Sequence, residues 1–161
     1  MQNGKENGII GIRGDTISNE IELGHPADIV FGHVALNQRQ QRVLDDLPEY
    51  GSQTIVNKKE VSMLDLSALT AHTGDEFAMF TREGKRMIMR GDYQRVPIGT
   101  EEAEELRAAG YRWTGHTHPG IMETSLIASD GDRLVLQAFG QTKSALYNSV
   151  GKWDYVVPKG E

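Results

Sequence analysis

Apolar positions along this chain fall into two rhythms. From Val34 to Leu47, "VALNQRQQRVLDDL" places Val34, Leu36, Val43, Leu44 and Leu47 at roughly helical intervals in a polar background. That spacing predicts a helix with a narrow apolar stripe, ended by Pro48. "VSMLDLSALTAHTG" predicts a second helix, with Ser62 as N-cap, Asp65 three residues on and Gly74 as the stop. "EFAMFTREGKRMIMRG" then reads as two apolar strands around the polar turn "REGK", a β-hairpin. "TEEAEELRAAG" predicts an acidic-started helix capped by Thr100 and closed by Gly110. The strand "YRWTGHTH" follows, then a helix opening at Ser129 in "SDGDRLVLQAFGQ", and "ALYNSVGKWDYVV" closes the chain as a second hairpin.

Helices interleaved with hairpin strands predict an α+β domain of mixed layers. Residues 1–32 are glycine-dotted and weakly patterned: "IIGIRG" and "NEIEL" read as short strands, and "GHPADIVFG" as a turn-rich connector. "PEYGSQ" punctuates the chain near residue 50. The expected organisation is therefore an N-terminal arm with one helix, residues 1–50, and a compact domain, residues 51–161.

Composition changes this picture in three respects. The chain has 161 residues, 38% of them hydrophobic, enough for one domain. A net charge of −6 with scattered basic residues leaves no electrostatic footprint for nucleic acid or an anionic membrane. No run reaches the length of a membrane span and the start lacks a signal-peptide layout, so cytoplasmic residence is the default. The absence of cysteine excludes disulfides, thiolate zinc sites and a cysteine nucleophile.

The candidate chemistry lies in "YRWTGHTHPG". On a strand, alternate side chains share a face, so His116 and His118 point the same way and can reach one ion. A catalytic zinc takes three protein ligands plus water. Without cysteine, and with the other histidines far away in sequence, the third ligand must be an oxygen donor. Asp130 and Asp132 of "SDGD", at the mouth of the next helix, are both placed to supply it. Trp113 and Tyr111 read as core, and Met79, Met87 and Met89 as filling the packed face of the hairpin. His72 falls near a helix end, and His25 and His33 lie in the arm.

The order of these pieces resembles the JAB/MPN metallopeptidase family and its JAMM motif: a glutamate, then H-[ST]-H-P, then S-x-x-D. "GHTHPG" matches the central piece, and Ser129 with Asp132 supplies the last. Glu76 in "TGDEFAMF", 40 residues before His116, stands where the glutamate belongs. Glu60, Glu83 and Glu123 compete for that role. Ten residues separate His118 from Ser129, a longer spacer than the family shows, and Ser125 cannot replace Ser129 because Ala128 stands three residues after it. The resemblance spans about residues 60–135. It implies a curved sheet of hairpin strands packed with helices, and a Zn2+ held by His116, His118 and Asp132, with Asp130 in reserve. It further implies Glu76 as general base and Ser129 as oxyanion donor.

The function so implied is hydrolysis of an amide bond in a peptide or protein by a zinc-dependent peptidase or isopeptidase. The alternatives are a metal-free MPN-like scaffold or interaction domain, and a toxin-like module of a bacterial or phage conflict system. A deaminase-like zinc enzyme ranks below these, because its usual motif needs cysteine ligands.

Overall fold

A computed structural model describes residues 35–159. The two strands expected before residue 32, His25, His33 and the start of the first expected helix lie outside the described residues. The elements run α1 (Gln38–Asp45), β1 (Gln53–Asn57), α2 (Met63–Thr73), β2 (Phe77–Arg82), β3 (Lys85–Arg90), α3 (Thr100–Ala108) and β4 (Arg112–Thr117). A 3-10 turn (Glu123–Leu126), α4 (Asp130–Ala138), β5 (Ser144–Tyr147) and β6 (Trp153–Val156) complete the order. Among the described residues the fold is α+β: four helices and one six-stranded mixed sheet in the order β1-β3-β2-β4-β5-β6.

Both faces of the sheet are covered. On one, Phe77, Met79 and Ile88 meet Leu66 and Leu69 of α2, together with Val43 and Leu47 from α1 and the residues after it. On the other, Ala78, Phe80, Met87 and Met89 meet Ala103 of α3, Val135 and Leu136 of α4, and Phe139 at its end. The three methionines therefore do not share one face. Met79 lies opposite Ile88, whereas Met87 and Met89 lie opposite Phe80 and Ala78. A sheet buried on both sides needs apolar residues on both, which removes the polar-out alternation that marks a half-buried strand.

Local chemistry sets the boundaries. The first helix starts at Gln38, later than its apolar spacing suggested, because Asn37 and Gln40 form a reciprocal capping box: the Gln40 N–H donates to Asn37 Oδ1 at 2.8 Å, and the Asn37 N–H donates to Gln40 Oε1 at 3.1 Å. Ser62 and Asp65 form the box expected of α2, and Gly74 ends that helix at φ 81°. The N-cap of α3 is Gly99, one residue before the expected Thr100, with the Glu102 carboxylate accepting from the Gly99 N–H at 2.9 Å. The last helix stops at Ala138, short of Gln141, whose side chain instead bonds to both backbone groups of Trp113 across the sheet. Strand β1, an edge strand with half-buried alternate positions, had no counterpart in the sequence pattern.

Most strand pairs are antiparallel, but β4 and β5 run parallel, with α4 in the connection between them. Gly115 makes that pair possible: a Cβ there would lie 2.7 Å from the Ala145 carbonyl oxygen and 3.0 Å from Met63 of α2. Among the described residues, no helix is long and apolar enough to cross a membrane.

Candidate metal centre

Four of the side chains singled out in the sequence meet over β2 and β4, on the face covered by α3 and α4. His116 and His118 follow one another along β4 and its exit, their Nε2 atoms 3.1 Å apart. Asp132, in the first turn of α4, sets Oδ1 3.2 Å from His116 Nε2 and Oδ2 3.3 Å from His118 Nε2. Glu76, immediately before β2, puts Oε2 3.8 Å from His118 Nε2. It is 7% exposed, so it is buried rather than lying out in solvent at the strand end. Ligand atoms of Glu76, His116 and His118 all lie within 4.8 Å of one another.

Each position has a local cause. Glu76 extends the hairpin by one backbone pair: Gly91 N–H donates to the Glu76 carbonyl at 2.7 Å, and Glu76 N–H to that of Asp92 at 2.8 Å. Thr117, between the two histidines, faces the other side of the sheet, where its hydroxyl accepts from Phe77 N–H at 3.0 Å and meets the Thr70 hydroxyl. The strand bearing the histidines is thereby fastened beside the residue that follows Glu76. Asp132 is aimed by the box that starts α4: its Oδ2 accepts from Ser129 N–H at 2.9 Å, and its own N–H donates to Ser129 Oγ at 3.0 Å. As acceptor in that bond, Ser129 keeps its own O–H free to donate.

Two supports were not legible in the sequence. His118 Nδ1 lies 3.1 Å from the Ser125 carbonyl, so it carries the proton and the Nε2 lone pair turns inward. The carbonyl comes from the 3-10 turn in the loop between β4 and α4, and a backbone group has no residue-type signature. The second support is a β-bulge. Phe80 pairs with Trp113 and Met79 with Gly115, leaving Thr114 as the extra residue. Trp113 and His116 thus share a face, with ring centroids 5.0 Å apart. Trp113 is core, as expected, and also forms part of the site wall. Asp130 is on the solvent side, its carboxylate 91% exposed and 4.0 Å from Arg133. Glu60, Glu83 and Glu123 are exposed and belong to turns: Glu60 caps the Asn57 N–H, Glu83 occupies the hairpin turn at φ 54°, and Glu123 opens the 3-10 turn.

The charges are strongly coupled. Burial pushes the Glu76 carboxyl up to about 8, His118 partly opposes this, and the negative charge of Asp132 adds to it. Burial also acts against ionised Asp132, but the charges and hydrogen bonds of His116 and His118 outweigh it and hold the carboxyl well below the usual range. His116 is lowered, chiefly by desolvation, whereas for His118 the Asp132 and Glu76 carboxylates overcome burial and raise it.

The donor set suits a zinc ion. Ligands bound at 2.0–2.1 Å around a tetrahedral zinc stand about 3.3–3.4 Å apart. The two Nε2 atoms, 3.1 Å apart, and their contacts of 3.2 and 3.3 Å with Oδ1 and Oδ2 of Asp132 respectively come close to that edge length. The same contacts also permit protonated histidines paired to Asp132, so the geometry fits a metal without requiring one.

The centre lies in a cleft of about 420 Å³ between α4 and the loop from Gln94 to Thr100. Phe80, Val96, Ile98 and Val135 give it apolar walls, and Arg95 stands on the loop side. Val96, Ile98, Val135 and Arg95 had carried no signal in the sequence. Compared with family models, curated proteins and solved structures, the chain has no match in any of the three.

Proposed function

We propose that this chain is a zinc-dependent peptidase or isopeptidase of the JAB/MPN type, with an MPN-like fold and cytoplasmic residence as parts of the same proposal. The observation that carries it is the common focus of His116 Nε2, His118 Nε2 and the Asp132 carboxylate, with buried Glu76 beside them. In this reading the two histidines and Asp132 hold the ion. Bound zinc supplies Lewis acidity and brings the pKa of water towards neutrality.

The chain's own groups do the rest. Glu76, which keeps its proton near neutral pH when buried without a cation, ionises once positive charge lies beside it. As a carboxylate it takes a proton from the attacking water and passes it to the leaving nitrogen. Ser129 turns its free O–H towards the carbonyl oxygen as negative charge develops there. Apolar walls exclude bulk water, which strengthens each of these interactions.

The test joins metal content to turnover. Protein purified without chelator should carry about one zinc per chain by elemental analysis, and a His116→Ala, His118→Ala variant that still folds should carry none. Glu76→Gln should keep the zinc and lower peptide hydrolysis by roughly 10²-fold or more. Protein that takes up no zinc even on titration would refute the catalytic reading and leave the metal-free interaction domain.

A further inference from the structure

Arg95 is the single lysine or arginine among the described residues lining the cleft. It is exposed, and its guanidinium makes no hydrogen bond or ion pair with any described residue. Its backbone, by contrast, is tightly held. Asp92 Oδ1 accepts from the N–H groups of Gln94 and Arg95, both at 2.9 Å, and the Asp92 N–H donates to the Arg95 carbonyl at 2.8 Å. Gly91 allows the loop to close this far, since a Cβ at that position would lie 2.0 Å from the Arg95 carbonyl oxygen. A cation on a fixed turn, without an ion pair or hydrogen bond to its guanidinium among the described residues, lines a cleft whose walls include the apolar side chains Val96, Ile98, Phe80 and Val135. The other charged groups of the lining, Glu76, Asp132 and the two histidines, contact one another in the candidate metal centre, and Arg95 acts on Glu76 only through its charge, without contact, favouring the ionised carboxylate slightly.

We propose that the cleft selects a substrate segment in which a carboxylate lies beside an apolar side chain. Arg95 receives the carboxylate, and Val96, Ile98, Phe80 and Val135 receive the side chain. A planar guanidinium matches a carboxylate with two parallel N–H···O bonds, which gives direction as well as attraction. In a chain of net charge −6 such an anion is otherwise repelled, so a local cation decides where it docks. The inference rests on the hydrolase reading for the word substrate, but the binding site itself does not. The carboxylate has two possible sources, a free C-terminus or an acidic side chain.

The experiment separates these. N-acetyl-leucine and N-acetyl-leucinamide are titrated into the full-length protein stripped with EDTA, and backbone and arginine side-chain resonances are followed, a readout independent of turnover. The acid should bind roughly tenfold more tightly than the amide, with shifts at Val96, Ile98 and Arg95, and Arg95→Gln should abolish the preference. Equal binding of acid and amide, no binding of either, or a preference that survives Arg95→Gln overturns the proposal. A third probe, N-acetyl-glutamyl-leucinamide, carries its carboxylate on a side chain. Tighter binding of this probe than of N-acetyl-leucine assigns the site to acidic side chains, and the reverse assigns it to a free C-terminus; either ranking supports a carboxylate site. A carboxylate preference in a protein that hydrolyses nothing upholds the cleft and removes the hydrolase, and hydrolysis without the preference does the opposite.

Discussion

Two aspartates separated by one glycine meet opposite environments at the start of α4. The Asp132 carboxylate is 16% exposed and touches both histidines, whereas that of Asp130 is 91% exposed. Asp132→Ala should therefore cut zinc affinity by at least about tenfold, as loss of a ligand does. Asp130→Ala should leave zinc affinity unchanged and cost only a few tenths of a kcal/mol at the helix start. Isothermal titration of both variants decides the matter, and exchanged outcomes would put the ligand at Asp130. At this scale much of the site was legible: the two-residue period of a strand puts His116 and His118 on one face, and S-x-x-D is also a capping box that aims its own acid. What was not legible depends on coordinates. A carbonyl such as that of Ser125 has no letter of its own, and Arg95 stands out only once a cleft exists for it to line.

Among the elements, α1 and α2 meet through Asp65. Its carboxylate caps Ser62 N–H at 2.7 Å, accepts from Gln40 Nε2 at 2.9 Å and pairs with Arg39 at 2.6 Å. Burial opposes its ionised form, but Arg39, Ser62 and Gln40 together lower its pKa. A depressed native pKa gives stability above the unfolded value of about 3.9 that fades as pH falls towards the native one. Asp65→Asn should accordingly cost on the order of 1 kcal/mol at pH 7, mostly the cap, because the Arg39 partner is 39% exposed and screened. The gap from wild type should narrow as denaturant melts are repeated below about pH 4. A constant gap down to pH 2 would assign the loss to packing instead. The sequence announced the Ser62–Asp65 box, but not that the same acid would clasp the preceding helix. Arg39 and Gln40 read only as the polar side of an amphipathic segment.

In the whole molecule, metal centre and core share the β4–β5 contact. Gly115→Ala would drive a Cβ against the Ala145 carbonyl, which is backbone in a sheet and has little room to yield. The cost should be about 1–3 kcal/mol, seen as a lower melting temperature. Zinc affinity should fall too, because His116 is the next residue of the strand. A variant as stable as wild type would mean that the two strands separate freely. Overall class was legible from interleaved helical and strand periods. The covering of both faces was not, because a strand buried twice looks merely apolar, and β1 was missed because "QTIVN" is short and half-polar.

The layout of the candidate ligands along the chain has a consequence in time. His116, His118 and Asp132 lie within one continuous stretch of 17 residues, whereas Glu76 stands 40 residues before His116. Short loops close faster than long ones, so a refolding chain can gather its three ligands before the sheet brings Glu76 alongside. On the proposed reading, a partly folded chain would bind metal before the group that activates water is in place, so metal uptake would precede any hydrolytic ability.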